Sequence, residues 1–153
     1  MRAQGARSVS TGPRRAHGPQ AGLLAAKVRY EKGQTDESRA ALAWVVENAV
    51  DDEYRALARL RLAGVLLDAK QYDDALKQLD PVAQGPFAAL AADRRGDILQ
   101  AQGKTAEAKA AYQQAWKAMD EKVEYRRLVD AKLTALGAAP TAAAASAAAG
   151  AAK

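Results

Sequence analysis

Three short stretches of the sequence repeat the same order of residue types, and this recurrence restricts the fold more than any other feature. The stretches are KGQTDESRAAL at 32–42, AKQYDDALKQL at 69–79 and QGKTAEAKAAY at 102–112. Each has the pattern of a helix end, a tight turn and a new helix start. The turn positions Gly33, Lys70 and Gly103 are 37 and then 33 residues apart, which indicates an array of similar helical hairpins.

Small residues recur on both sides of each turn. In the best-developed copy, residues 89–122, they are Gly96 in the first helix and Ala108 in the second, and Tyr112 follows one helical turn later. Two helices that cross at close range need small side chains at the contact, because larger ones would push them apart. The other two copies have Ala26, Ser38 and Leu42, and Ala63, Ala75 and Leu79, at these positions. An unrelated helical bundle would explain amphipathic helices but not this repeated spacing.

The apolar residues between the turns follow a helical period. In 53–68, apolar residues recur at spacings of three and four on one face: Tyr54, Leu57, Ala58, Leu62, Val65 and Leu66. We predict helices at 21–32, 36–49, 53–69, 72–80, 88–101, 105–119 and 123–136, with Thr35 and Thr105 as N-caps. The predicted fold is all-α, a tetratricopeptide-repeat-like right-handed superhelix of about three helical hairpins plus a C-terminal helix.

The two ends of the chain differ in composition from the middle. Residues 1–20 carry four arginines and no acid, and 138–153 are mostly alanine. We predict a disordered basic arm at 1–20, a repeat domain at 21–137 and a disordered Ala-rich tail at 138–153. The net charge of +5 comes from these ends, because the middle holds 18 basic and 18 acidic residues. This balance argues against a nucleic-acid partner.

Residues able to carry chemistry are few. The sequence has no Cys, and its one histidine, His17, lies in the predicted basic arm. Asp93 and Asp97 share a helix face as metal ligands would, but Arg94 and Arg95 lie beside them and no further ligand cluster follows. We therefore predict no catalytic residues, no metal, no cofactor and no small-molecule substrate, and hence that the protein is not an enzyme.

Several segments resemble the YfgM-type family of ancillary SecYEG translocon subunits. They are GLLAAKV at 22–28, DDEYRALARLRLAGVLLDAKQYDDALKQLD at 51–80 and FAALAADRRGDILQAQGKTAEAKAAY at 87–112. The resemblance implies a periplasmic repeat domain, anchored in the inner membrane, that assists protein export and folding beside a periplasmic chaperone. Compared with that family, the sequence is expected to lack the N-terminal membrane anchor and the first helices, and residues 1–20 resemble nothing in it.

These observations predict a scaffold that binds other proteins through the concave face formed by the first helices of the hairpins. The candidate groove residues are Lys27, Tyr30, Leu60, Gly64, Asp93, Asp97 and Gln100. The resemblance implies SecYEG and a chaperone as partners; the alternative is a generic soluble repeat adaptor or complex-assembly protein in the cytoplasm. Apolar side chains near Leu23, Leu24 and Val28 also predict weak self-association through the first helix.

Overall fold

The computed structural model describes residues 18–138, which form seven α-helices and one 3₁₀ turn and contain no strand. The helices are α1 (Pro19–Glu31), α2 (Thr35–Asn48), α3 (Asp52–Asp68), α4 (Tyr72–Leu79), α5 (Ala88–Ala101), α6 (Thr105–Ala118) and α7 (Tyr125–Ala135); the 3₁₀ turn covers Asp80–Val82. The predicted bounds differ from these by two residues or fewer, so the all-α prediction is confirmed. None of these helices combines the length and apolar character that crossing a membrane requires.

The helices form three hairpins in sequence, α1–α2, α3–α4 and α5–α6, and α7 packs against α6. Each hairpin also contacts the next one, and the first helices α1, α3 and α5 contact one another in order. The first helices therefore lie side by side. The buried apolar side chains form two clusters, one built mainly by α1 to α4 and the other by α5 to α7.

The three hairpin turns share one backbone conformation. Gly33, Lys70 and Gly103 have φ values of 75°, 58° and 76°, in the left-handed region. In the first turn the Gly33 N–H donates to the Tyr30 carbonyl at 2.9 Å, and the Gln34 N–H donates to the Arg29 carbonyl at 2.8 Å. This pair of bonds satisfies the last carbonyls of the helix, and it recurs in the other two turns. The predicted turn positions are confirmed.

Lys70 is the non-glycine residue among these turns, and it provides a test. A side chain in the left-handed region costs roughly 1–2 kcal/mol, so we expect Lys70→Gly to raise the free energy of unfolding by about 1 kcal/mol after the entropy cost of glycine is included. Gly103→Ala, at the matching turn, should lower it by a similar amount. Denaturant titration followed by circular dichroism measures both changes, and a destabilised Lys70→Gly variant would contradict the shared turn geometry.

The small residues of each copy lie at the helix crossings, as predicted. Ala63, Ala75 and Ala108 are fully buried. A Cβ atom added at Gly96 would lie 2.4 Å from Tyr112 Cε1, so that the tyrosine ring fills the space that the missing side chain leaves. In the first hairpin, the Ser38 hydroxyl donates to the Ala26 carbonyl at 2.7 Å.

The predicted N-caps at Thr35 and Thr105 were wrong. Both residues are the first residue of their helix, and the N-cap positions are Gln34 and Lys104, whose side chains make no capping hydrogen bond. Gly33 and Gly103 end the preceding helices in the left-handed conformation, and the residue directly after each of them is already the N-cap of the next helix. The N-cap with a side-chain bond is Asp51, which accepts from the Glu53 N–H at 2.8 Å.

The first helix begins at Pro19, two residues before the predicted start of the repeat domain. Proline favours the first helical position because it needs no N–H partner there. Residues 1–17 of the predicted basic arm and residues 139–153 of the predicted Ala-rich tail lie outside the described residues, so both stay predictions. Three apolar residues were expected on an exposed face. Leu24 and Val28 are exposed, but Leu23 is buried, with only 5% of its surface accessible.

Candidate protein-binding cleft

A cleft of about 410 Å³ lies between α1 and α3 on the side of the first helices, and it is bounded by α5. Its base is formed by small and apolar residues of α1, α2 and α3. Its rim carries the polar side chains Lys27, Tyr30, Arg61, Asp68 and Arg94. We refer to this surface as the α1–α3 cleft.

Helical spacing places these rim residues together. Arg61, Gly64 and Asp68 are three and four residues apart along α3, so they share one face, and Lys27 and Tyr30 share a face of α1. The Tyr30 hydroxyl donates to the Asp68 carboxylate and so connects the two helices across the cleft. This hydrogen bond, with a smaller contribution from burial, raises the pKa of Tyr30.

The Arg94 guanidinium of α5 lies next to Gly64 of α3. A Cβ atom added there would lie 3.6 Å from Arg94 Cζ, an ordinary van der Waals contact. Arg94 also lies 3.8 Å from the Asp97 carboxylate. The side chain of Arg94 is 37% exposed, so its guanidinium can meet both the cleft and solvent.

The structure brings together part of the predicted groove. Lys27, Tyr30 and Gly64 line the α1–α3 cleft, and Gln100 is exposed on α5. Leu60 does not belong to the groove. It is only 7% exposed and packs in the first hydrophobic cluster, because it lies on the face of α3 that contacts the neighbouring helices. Arg61, Asp68 and Arg94 were not predicted, although Arg61 and Asp68 lie three and four residues from Gly64 in the sequence.

Asp93 is also not a groove residue, because α7 covers it. Its side chain is 2% exposed. Its Oδ2 atom accepts from the Tyr125 hydroxyl at 2.6 Å, and its Oδ1 atom accepts from Lys132 Nζ at 2.9 Å. Lys132 Nζ lies equally close, 2.9 Å, to Asp97 Oδ1, which also accepts from the Tyr112 hydroxyl at 2.7 Å. We call these five residues the α5–α7 ion cluster.

The α5–α7 ion cluster attaches the last helix to the third hairpin. Lys132 compensates the buried Asp93 carboxylate, as a buried charge requires. It also pairs with Asp97, whose other oxygen lies 3.8 Å from Arg94. The sequence analysis grouped Asp93 and Asp97 correctly on one helix face, but their partners on α7 are more than 30 residues away. Within residues 18–138, no three His, Cys, Asp or Glu side chains lie close enough together to hold a metal ion.

The two tyrosines of the ion cluster predict a loss of stability in alkali. Burial, followed by the hydrogen bonds to Asp97 and Asp93, raises the pKa of Tyr112 and of Tyr125 well above the ordinary tyrosine value. A raised pKa in the folded state contributes stability that is complete below the unfolded pKa of about 10 and is lost as the pH rises above it. Unfolding titrations between pH 9 and 11 should show this decline, and a Tyr112→Phe/Tyr125→Phe variant should show a shallower one; equal slopes would contradict the assignment.

Comparison with known proteins identifies a family and relatives of this chain. The sequence model of the tetratricopeptide repeat-like domain family matches residues 2–138. The chain is 38% identical over 117 residues to a Neisseria gonorrhoeae protein named ancillary SecYEG translocon subunit, covering 76% of this chain and 56% of the relative. It is 33% identical over 97 residues to the Escherichia coli K12 protein of the same name, covering 63% and 47%. No solved structure gave a significant match.

Two features of these matches bear on the sequence analysis. The chain spans about half the length of the curated relatives it matches. The family match begins at residue 2, so the expectation that residues 1–20 resemble nothing in the family was wrong.

Proposed function

The chain belongs to the tetratricopeptide repeat-like family and, within it, to the YfgM-type group of the two translocon-subunit relatives. We propose that it is a protein-binding scaffold of the SecYEG translocon. In this role it acts by association and not by catalysis. It binds a partner protein through the α1–α3 cleft while it is held near the translocon.

The observation that carries this proposal is the open α1–α3 cleft on the side of the first helices. Its base is apolar and its rim is polar, the combination found at sites that bind peptides. Stacked hairpins form such extended surfaces because each repeat packs against its neighbours, which fixes the positions of the first helices side by side.

The location and the second partner are also part of the proposal. We place the domain on the periplasmic side of the inner membrane, where it assists exported proteins together with a periplasmic chaperone. The names of the two relatives support the translocon. The resemblance of residues 22–28, 51–80 and 87–112 to YfgM-type proteins supports the periplasmic side and the chaperone.

Site-specific crosslinking in membranes tests this proposal. A photoreactive amino acid at Tyr30 of the native full-length protein should crosslink to SecYEG subunits, to the chaperone or to exported chains, because Tyr30 lines the α1–α3 cleft. The matched control position is Gln113, which is exposed on the second helix α6. It should give weaker crosslinks or none.

The alternative function makes a different prediction in the same experiment. If the protein is a soluble cytoplasmic adaptor, Tyr30 will crosslink only to cytoplasmic proteins and the products will not fractionate with membranes. That result would exclude the translocon role and leave the scaffold role in place.

A further inference from the structure

We infer that the α1–α3 cleft recognises an acidic segment of a partner protein, one in which carboxylate side chains from Asp or Glu enter the cleft. This inference rests on the proposed function, since it names the chemistry of the partner that the cleft would bind. It is carried by the charges of the rim and by the position of Arg94.

The rim holds three cations, Lys27, Arg61 and Arg94, and one carboxylate, Asp68. The carboxylate accepts the Tyr30 hydroxyl, a hydrogen bond that leaves its negative charge in place, so the rim carries two more positive than negative charges. Arg61 is exposed, and no acidic side chain of the described residues lies within ion-pair distance of it. An acidic ligand therefore meets an excess of positive charge at this site.

Two further acids, Glu31 and Asp97, offset these cations only in part. Glu31 lies 4.0 Å from Lys27 in a pair whose two side chains are more than half exposed, so water screens the attraction. Asp97 lies 3.8 Å from Arg94, but its other oxygen already receives Lys132 at 2.9 Å and the Tyr112 hydroxyl. The Arg94–Asp97 distance is therefore longer than the Lys132–Asp97 distance, and a ligand carboxylate can compete with Asp97 for Arg94.

The geometry suits carboxylates better than a single point charge. The two guanidinium groups come from α3 and α5, and each can donate two parallel N–H bonds to one carboxylate. Arg61, Gly64 and Arg94 all line the cleft, so an extended segment that lies in it can contact both guanidinium groups. The alanine-rich stretch 138–153 contains no Asp or Glu, so it is not the occupant.

Binding of a model peptide tests the inference. The probe is a labelled peptide of Glu, Asp, Gly and Ser, and its control replaces the acids with Gln and Asn. We expect the full chain to bind the acidic peptide in fluorescence anisotropy, with an affinity that falls as salt is added, and not to bind the amide peptide. Arg61→Gln and Arg94→Gln should each weaken binding roughly tenfold, and Arg94→Lys should weaken it less because the charge is kept.

The matched control is Arg95→Gln, which removes the same charge from the next residue. Arg95 does not line the cleft and lies 3.5 Å from Asp80. Circular dichroism melting verifies that each variant is folded. If Arg95→Gln weakens binding as much as Arg94→Gln, or if the amide peptide binds equally well, the inference is wrong.

Crosslinking from Tyr30 with the Arg61→Gln/Arg94→Gln variant separates this inference from the proposed function. Loss of the partner crosslink supports acidic recognition at the cleft. An unchanged translocon crosslink, together with no binding of the acidic peptide, overturns acidic recognition and leaves the translocon role standing. Absence of any translocon crosslink from the unaltered protein counts against the proposed function instead.

Discussion

Replacing Lys132 with methionine should lower the free energy of unfolding by about 3 kcal/mol, because it leaves Asp93 buried without its counter-ion. Removing one partner of a buried ion pair costs roughly 3–5 kcal/mol, and we expect the lower end because the Lys132 side chain is still 22% exposed. The remaining donor to Asp93, the Tyr125 hydroxyl, cannot supply a positive charge. Urea titration followed by circular dichroism measures the loss.

Arg127→Met provides the matched control, because it removes a cation from the exposed surface of the same helix. It should change stability by less than about 0.5 kcal/mol. The loss in Lys132→Met should also shrink when Asp93 is changed to Asn, since the uncompensated carboxylate is then absent. If Lys132→Met and Arg127→Met unfold at the same urea concentration, the ion cluster does not hold α7 in place.

Replacing Gly96 with leucine should destabilise the protein by roughly 1–3 kcal/mol, the usual cost of overpacking a core. The Cβ atom alone would lie 2.4 Å from the Tyr112 ring. That ring cannot move aside cheaply, because it is 3% exposed and its hydroxyl donates to Asp97. The larger leucine side chain must therefore separate α5 from α6.

Gly64→Leu is the control for this variant, with the same substitution in the middle of another first helix. Its Cβ atom would meet the end of the Arg94 side chain at 3.6 Å, where there is room to adjust. We expect its midpoint of unfolding to stay near that of the parent while the cleft is partly filled. Equal destabilisation by both leucines would show that crossing geometry is not the cause.

The hairpins could be predicted from sequence because their signals are local. Gly33 and Gly103 allow the left-handed turn, and small residues such as Ala108 reveal the crossing a few positions later. The same signals misplaced the N-caps at Thr35 and Thr105, since a hydroxyl near a helix start does not show which residue is the cap.

The candidate site could be predicted only in part, because it depends on contacts between distant residues. The expectation that the first helices form the groove selected Lys27, Tyr30 and Gly64, which line the α1–α3 cleft, but also Leu60, which faces the core. Each first helix has an inner and an outer face, and residue spacing alone does not show which neighbour covers it. For Asp93 that neighbour is α7, which comes more than 30 residues later.

The two hydrophobic clusters share one helix. On α5, Ala91 and Ile98 belong to the first cluster, and Ala92 and Leu99 belong to the second. In an array where each repeat is stabilised by its neighbours, a helix that belongs to both clusters couples local unfolding of the N-terminal half to local unfolding of the C-terminal half. A ligand held by Arg94 at the cleft would therefore slow amide hydrogen exchange as far away as α6, which it does not touch.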